Sequence, residues 1–394
     1  MNNFQYYIKT DVLFGLNTVP HTAELVKKHG GSRVLVVYGG GSAKRSGLLD
    51  RVFGALDEAL IPYDSLGGVQ PNPRVELARE GVQKALSFGA DLILAVGGGS
   101  VIDTAKAIAH GTANPGVDIW EFWKRRAKLE KSMPVGVILT IPAAGSETSD
   151  SAVLTNEHEG EKRGLSTDLN RPAFAILDPE LAVTLPPRQL SCGVTDILMH
   201  TLERYFTTTD DNELTDAFAA ALMRVVIRNG PKLLTDPKDL HAMSEIMWCG
   251  SVSHNGLTGL GRPKDFSAHQ LAHALSEKFD AIHGESLSAM WGSWARYVYE
   301  TAPKRFARYA QNVWGVDDED YDEAALLGIE ATENFFRSLH MPVSLGELAG
   351  IGIQDEAGLA DLAARCSYQK TRTVGSFRVL GYEDLLEIYR MANH

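Results

Sequence analysis

The sequence predicts an α/β half followed by an all-helical half, and three observations lead there. A short apolar strand that runs into Gly-Gly-Gly-Ser and then a helical pattern occurs twice, at 33–42 and 91–100, fifty-eight positions apart. Two more apolar runs, 135–141 and 173–177, have the same strand character. After Leu185-Pro186-Pro187 the strand signals stop and helical periodicity takes over, which divides the chain into 1–185 and 186–394.

Taken in order, 33–38 (RVLVVY) is a strand ending at Gly39-Gly40-Gly41-Ser42, with a helical pattern on to residue 60. The prolines of 68–73 (GVQPNP) make a stiff loop before a helix over 75–88. The second strand, 91–96 (DLILAV), enters Gly97-Gly98-Gly99-Ser100 and the helical VIDTAKAIAH. Glycines without Cβ atoms let backbone turn sharply and approach a ligand, and Ser100 is placed to cap a helix whose N–H groups and dipole suit a pyrophosphate. Asp103, three residues on, would complete a capping-box-like pair. Ile102 fills the third glycine position of GxGxxG, so the turn reads either as a tight connection or as a phosphate loop.

The helical half holds the densest chemistry. Three of the twelve histidines, His269, His273 and His283, lie within fifteen residues. His269 and His273 stand at i and i+4 in SAHQLAHALSEKF and share one face of a largely apolar helix. His283 opens the next helical pattern after a break at 279–282, and a helix, a reversal and a second helix can return it toward that pair. Asp196 and His200 repeat the i, i+4 spacing in the apolar segment DILMHTLERYF. Three unrelated core histidines are the plain alternative, but an ionised Asp on such a face needs a partner. One cation, Zn²⁺ or Fe²⁺, answers both, and an open coordination position would make the site catalytic.

Asn229-Gly230-Pro231 and 254–263 read as turns, and the chain beyond 302 reads as surface helices with solvated charge runs. Trp291 and Trp294 read as core or as the wall of a dry pocket. With glycine turns in one half and metal candidates in the other, an active site is expected in a cleft between domains. A net charge of −12 with no Lys/Arg block argues against nucleic-acid and anionic-membrane partners and leaves a small molecule. No apolar run approaches the roughly 18 residues of a spanning helix, and MNNFQYYIKTDVLFG has neither a basic n-region nor an apolar h-region, so a cytoplasmic protein is expected. Cys192, Cys249 and Cys366 are odd in number and far apart, as buried thiols would be.

Together YGGGSAKRSG (38–47), GVQPNP (68–73), AVGGGSVIDTAKAIA (95–109), TIPAAGSETS (140–149), DILMHTLERYF (196–206) and the histidine stretch resemble the iron-containing, group III alcohol dehydrogenases over essentially the whole chain. Within them the likeness is to the butanol dehydrogenase and NADPH-dependent aldehyde reductase branch. The resemblance implies a dehydroquinate-synthase-like fold, a homodimer, a nucleotide-binding α/β domain and a helical metal-binding domain. It implies Asp196, His200, His269 and His283 as metal ligands and His273 as a non-ligating histidine beside the nicotinamide. It places Gly97, Gly98, Gly99, Ser100 and Asp103 around the pyrophosphate and Asn72, Thr140 and Ser146 near the nucleotide, with Lys162 and Leu181 as looser matches. Where longer-known branches often have His-Pro, this chain has His273-Ala274.

The function expected is reversible hydride transfer between a nicotinamide cofactor and an aldehyde or primary alcohol. The metal polarises the oxygen, and His273 relays the proton, with Asp103 as a second catalytic candidate. NADP(H) is expected ahead of NAD(H), because 33–49 contains no Asp or Glu to meet a ribose 2′-hydroxyl, while the turn Gly40-Gly41-Ser42 is followed by Lys44 and Arg45. Glycerol or polyol dehydrogenase is a near alternative. A dehydroquinate-synthase-like lyase would need several cations facing the metal, and 240–290 holds only Arg262, Lys264 and Lys278. A purely structural metal would leave the glycine turns without a purpose.

Overall fold

Alternating β-branched runs and amphipathic helices build the first unit, Tyr7–Thr184, of a computed structural model that describes residues 1–394. Its elements are β1 (Asp11–Phe14), α1 (Thr22–Lys28), β2 (Val34–Gly39), α2 (Ser42–Arg45), α3 (Leu48–Glu58), β3 (Tyr63–Val69), α4 (Val75–Phe88), β4 (Leu92–Gly97), α5 (Gly99–Ala113), α6 (Ile119–Trp123), β5 (Val135–Leu139), β6 (Ser151–Asn156), β7 (Glu161–Ser166) and β8 (Phe174–Leu177). Six strands form one sheet in the order β1-β8-β5-β4-β2-β3, every pairing parallel. Val34 to Val37 and Leu92 to Val96 are fully buried, as continuous apolar strands covered on both faces must be.

The strand order reverses between β2 and β4. β3 lies outside β2, whereas β4 and β5 step away on its other side. Tyr38 pairs with Val96 across that junction, which brings the two glycine turns side by side at the carboxyl edge of the sheet. Open parallel sheets bind ligands at such a switch point.

Two short strands and a hairpin escaped the sequence reading. β1 has three half-buried residues and an exposed Phe14, β3 (YDSLGGV) carries an Asp and two glycines at the sheet edge, and the antiparallel pair β6–β7 is largely polar. None has the apolar run that marked the central strands.

The second unit comprises Leu185–His394 with Met1–Tyr6. The sequence assigns those first residues to the α/β half, but the Asn2 amide donates to the Gly261 carbonyl at 2.9 Å and the Met1 ammonium pairs with Asp211. The helices are α7 (Pro187–Tyr205), α8 (Glu213–Thr235), α9 (Leu240–His254), α10 (Ser267–Phe279), α11 (His283–Val298), α12 (Pro303–Tyr309), α13 (Tyr321–Ser338), α14 (Glu356–Cys366) and α15 (Tyr382–Ala392). The turn expected at Asn229-Gly230-Pro231 is helical instead, inside α8. Close packing explains it: a Cβ on Gly230 would come within 2.5 Å of Val194 on α7, and the Asn229 amide bonds back to the Val225 carbonyl.

The chain beyond 302 is not only surface. Arg305, Phe306, Tyr309 and Phe336 are buried, and Arg305 shares Asp216 with Arg262 in an internal ion network. Trp291 and Trp294 are fully buried core. Cys249 and Cys366 are buried and Cys192 nearly so, and burial pushes all three thiols up to about 12. No helix is long and apolar enough to cross a membrane.

Candidate metal centre and nucleotide edge

Apolar residues Leu190, Val194, Ile197, Leu198 and Leu202 seat α7 in the core, so Asp196 and His200 are carried inward with them. α10 and α11 pack against one another and α11 against α7, and the reversal at Asp280, in the left-handed region at φ 52°, returns the chain so that His283 starts α11. Asp196 Oδ1 then lies 3.2 Å from His200 Nδ1, 3.6 Å from His269 Nε2 and 3.9 Å from His283 Nε2. The donor atoms of Asp196, His200 and His269 all lie within 4.8 Å of one another. His283 joins from the more open side, 28 % exposed.

Three of these atoms decide whether the site fits a cation. Asp196 Oδ1, His200 Nδ1 and His269 Nε2 are buried and make no hydrogen bond within the protein. Each such group costs about 1–3 kcal/mol if nothing compensates it. A divalent cation among them would satisfy all three, and imidazoles with one carboxylate suit Zn²⁺ and Fe²⁺. Burial, reinforced by His254 and His269, holds His200 well below the usual imidazole range, which leaves it a neutral donor. Burial acts the same way on His269, but the carboxylates of Glu203 and Asp196 outweigh it and lift that imidazole to about 9.

His273 sits one turn beyond His269 on α10, half-buried, its ring 5.4 Å from that of His283 and 6.3 Å from that of His269. Two neighbours were not singled out from the sequence. His254, at the end of α9, has its ring 4.1 Å from that of His200. Glu203, fully buried one turn past His200, accepts the His269 amide at 2.9 Å and meets Nδ1 of the same imidazole. The signal was available, since Asp196, His200 and Glu203 stand at i, i+4 and i+7 on one helical face.

In the α/β unit the expected nucleotide residues collect at the carboxyl edge. Gly40, Gly41 and Ser42 follow β2, Asn72 follows β3, Gly97 to Ser100 link β4 to α5, Thr140 and Ser146 follow β5, and Leu181 follows β8. Lys162, on β7, donates to Asn72 Oδ1 at 2.8 Å. α5 begins at Gly99 with Gly98 as its N-cap and no side-chain cap, and the Val101 and Ile102 amides turn back to the Gly98 carbonyl at 3.0 and 3.1 Å. This corrects the capping box: Ser100 lies inside the helix and caps nothing.

Asp103 is instead a fastener, accepting from Ser146 Oγ at 2.6 Å and from the Val153 amide at 2.8 Å. Lys106, fully buried and missed from the sequence, donates to Ser146 Oγ at 2.8 Å and to the Ser151 carbonyl at 2.7 Å. Burial drives Lys106 down to about 8, against the pull of Asp103. Gly97 of the second turn is required by packing, since a Cβ there would fall 2.5 Å from Val101. Gly40 is different, with nothing within 4 Å of its missing Cβ.

Known proteins share this fold. The family model for iron-containing alcohol dehydrogenase matches residues 9–179, and that for the C-terminal part of the Fe-containing alcohol dehydrogenase family matches 191–393. The chain is 38% identical over 392 residues to "NADH-dependent butanol dehydrogenase A" of Clostridium acetobutylicum, covering 99% of each. It is 35% identical to the "NADPH-dependent aldehyde reductase YqhD" of Escherichia coli, covering 88% of this chain and 89% of that one. The crystal structure of NADH-dependent butanol dehydrogenase A from Thermotoga maritima superposes with a TM-score of 0.96 at 34% identity, over 100% of this chain and 99% of that one. On these matches the chain belongs to the iron-containing alcohol dehydrogenase family, in its butanol dehydrogenase branch.

Proposed function

We propose that this protein interconverts primary alcohols of butanol type and their aldehydes, with NADP(H) as the preferred nicotinamide and Fe²⁺ or Zn²⁺ held by Asp196, His200, His269 and His283. The observation that carries the proposal is the convergence of three buried, unbonded donor atoms, Asp196 Oδ1, His200 Nδ1 and His269 Nε2. When bound, the cation supplies a Lewis acid for the substrate oxygen and the nicotinamide supplies or takes up the hydride. Asp196 is the one anionic group in the donor set beside three imidazoles, so a dication held there keeps net positive charge for an oxygen on which charge develops.

His273, close to the donor set but outside it, holds and passes the proton that the product oxygen takes up. The α/β unit serves as the dinucleotide-binding part, with the Gly97 to Ser100 turn and the start of α5 receiving the pyrophosphate. Asp103 and Lys106 serve it by fixing Ser146, without touching the reacting atoms. NADP(H) rests on this chain's own residues: Gly40, Ser42, Lys44 and Arg45 are exposed after β2 and no carboxylate stands among them. Relatives carry both names, NADH-dependent for the Clostridium acetobutylicum enzyme and NADPH-dependent for the Escherichia coli enzyme. A homodimer is the assembly this reading takes, to be checked by light scattering.

The lyase alternative loses ground because two of its three cations are committed elsewhere. Arg262 pairs with Asp216 and the Thr258 carbonyl, and Lys278 pairs with Asp361 at 2.9 Å. The test is a panel of aldehydes and alcohols, butanal and glycerol included, followed by nicotinamide absorbance. Oxidation of NADPH by butanal supports the proposal; turnover confined to glycerol, or phosphate release from a phosphorylated sugar acid without net nicotinamide change, overturns it.

A further inference from the structure

The carboxylate of Glu203 has two partners, and both belong to one residue. Oε1 accepts the backbone N–H of His269 at 2.9 Å, and Oε2 meets Nδ1 of its ring. A third tie runs through the main chain, where the Asp265 amide donates to the Glu203 carbonyl at 2.9 Å. His269 is the third residue of α10, so its amide is one of the four that a helix start leaves without an internal acceptor. Asp265 takes the Ser267 amide at 2.9 Å and Glu203 takes that of His269, so the start of α10 is capped by two acids from outside the helix.

The ring contact has a separate consequence. A buried carboxylate at Nδ1 keeps the proton there, so the nitrogen that a cation takes, in place of a proton, is Nε2, the atom that faces Asp196 at 3.6 Å. Nothing else in the vicinity chooses the tautomer, since Nε2 itself has no hydrogen-bond partner. Glu203 is fully buried, so the choice is not diluted by water. Because Asp196, His200 and Glu203 follow one another on the same face of α7, the helix that supplies two ligands directly also aims a third that sits on α10.

We infer that Glu203 is a positioning residue for the metal centre: it fixes the His269 tautomer and ring plane so that Nε2 is presented to the cation. The inference rests on the metal-site reading above. Carboxylates that bond a ligating imidazole typically contribute about 10–100-fold in metal affinity. Glu203→Gln separates this role from capping, because its amide oxygen can still accept the His269 N–H while the charge that holds the Nδ1 proton is gone.

The experiment uses the full chain stripped of metal and titrated with Co²⁺ against a competing chelator, with the cobalt d–d spectrum recorded and helix content followed by circular dichroism. Wild type, Glu203→Gln, Glu203→Asp and His269→Ala are compared. Glu203→Gln is expected to keep its helix content, to bind Co²⁺ about 10–100-fold more weakly and to shift the d–d bands, with Glu203→Asp between it and wild type. Wild-type affinity and unchanged bands in Glu203→Gln, beside loss of binding in His269→Ala, would overturn this inference and leave the ligand set standing. Undiminished Co²⁺ binding in His269→Ala would overturn both.

Discussion

Ser146 donates its hydroxyl proton to Oδ1 of Asp103 across 2.6 Å. The Ser146 oxygen in turn accepts from the ammonium of fully buried Lys106, so a loop after β5 is clamped to α5 by a largely buried pair of opposite charges. Removing one member of a buried pair leaves the other uncompensated, at about 3–5 kcal/mol. Lys106→Met should lose about that much stability in chemical denaturation and raise KM for the nicotinamide, while metal content stays at the wild-type level. Unchanged coenzyme KM would detach Ser146 from the nucleotide edge.

His110 gives the α/β unit an acid limit. It is fully buried between Ser132 Oγ and Asn170 Oδ1, both at 2.8 Å, and burial lowers it from 6.5 to about 4. Below 6.5 the unfolded chain takes up a proton there that the folded chain refuses until about 4, so stability is present above 6.5 and falls as pH drops through that window. The loss attached to this one residue is about 3 kcal/mol by pH 4. In His110→Gln the denaturation free energy should decline less steeply from pH 6.5 to 4 by about that amount; equal slopes would refute the assignment.

Nicotinamide choice should respond at Gly40. A Cβ there meets nothing within 4 Å and the residue does not adopt a positive φ, so Gly40→Asp adds a carboxylate without strain. With butanal as substrate, kcat/KM for NADPH should fall by at least about tenfold, the cost of placing a negative charge by a 2′-phosphate, while that for NADH holds or rises. A wild type that prefers NADH, or a variant that keeps its NADPH use, counts against a 2′-phosphate at this turn.

Helix packing predicts a pair of opposite outcomes. Gly230→Ala pushes a methyl to within 2.5 Å of Val194, two residues from Asp196, and should cost about 1–3 kcal/mol despite the better helix former. Gly54→Ala, in α3 with open space around it, should gain up to about 1 kcal/mol. Thermal melts of the two variants should therefore move in opposite directions from wild type.

His273→Ala should keep the metal and lose rate on the order of 10²-fold, with the pH dependence of kcat flattened. A variant with the wild-type rate and pH profile would remove His273 from proton transfer.

Local periodicity made the central strands and the clustered histidines legible, because each depends on neighbours in sequence. The partnerships of Glu203 with His269 and of Lys106 with Ser146 span 66 and 40 residues and carry no local mark. Gly230-Pro231 misled for the opposite reason: a strong turn signal was overridden by the close approach of α7 and α8. Ser100 and Asp103 showed capping-box spacing, yet the helix starts two residues earlier than that box needs, at Gly99, and Asp103 turns to Ser146 and Val153. Gly39-Gly40-Gly41 and Gly97-Gly98-Gly99 were plain as turns, but that they lie side by side follows only from the register of β2 on β4.

Metal stoichiometry in Asp196→Ala tests the central claim most directly, because Asp196 Oδ1 is the atom on which His200, His269 and His283 converge. Wild type and variant, loaded with Fe²⁺ or Zn²⁺ and dialysed against a weak chelator, are measured by elemental analysis with circular dichroism to check folding. The expected result is one tightly held ion per chain in the wild type and almost none in a folded variant. A folded Asp196→Ala that retains its ion with wild-type affinity would contradict the metal centre described here.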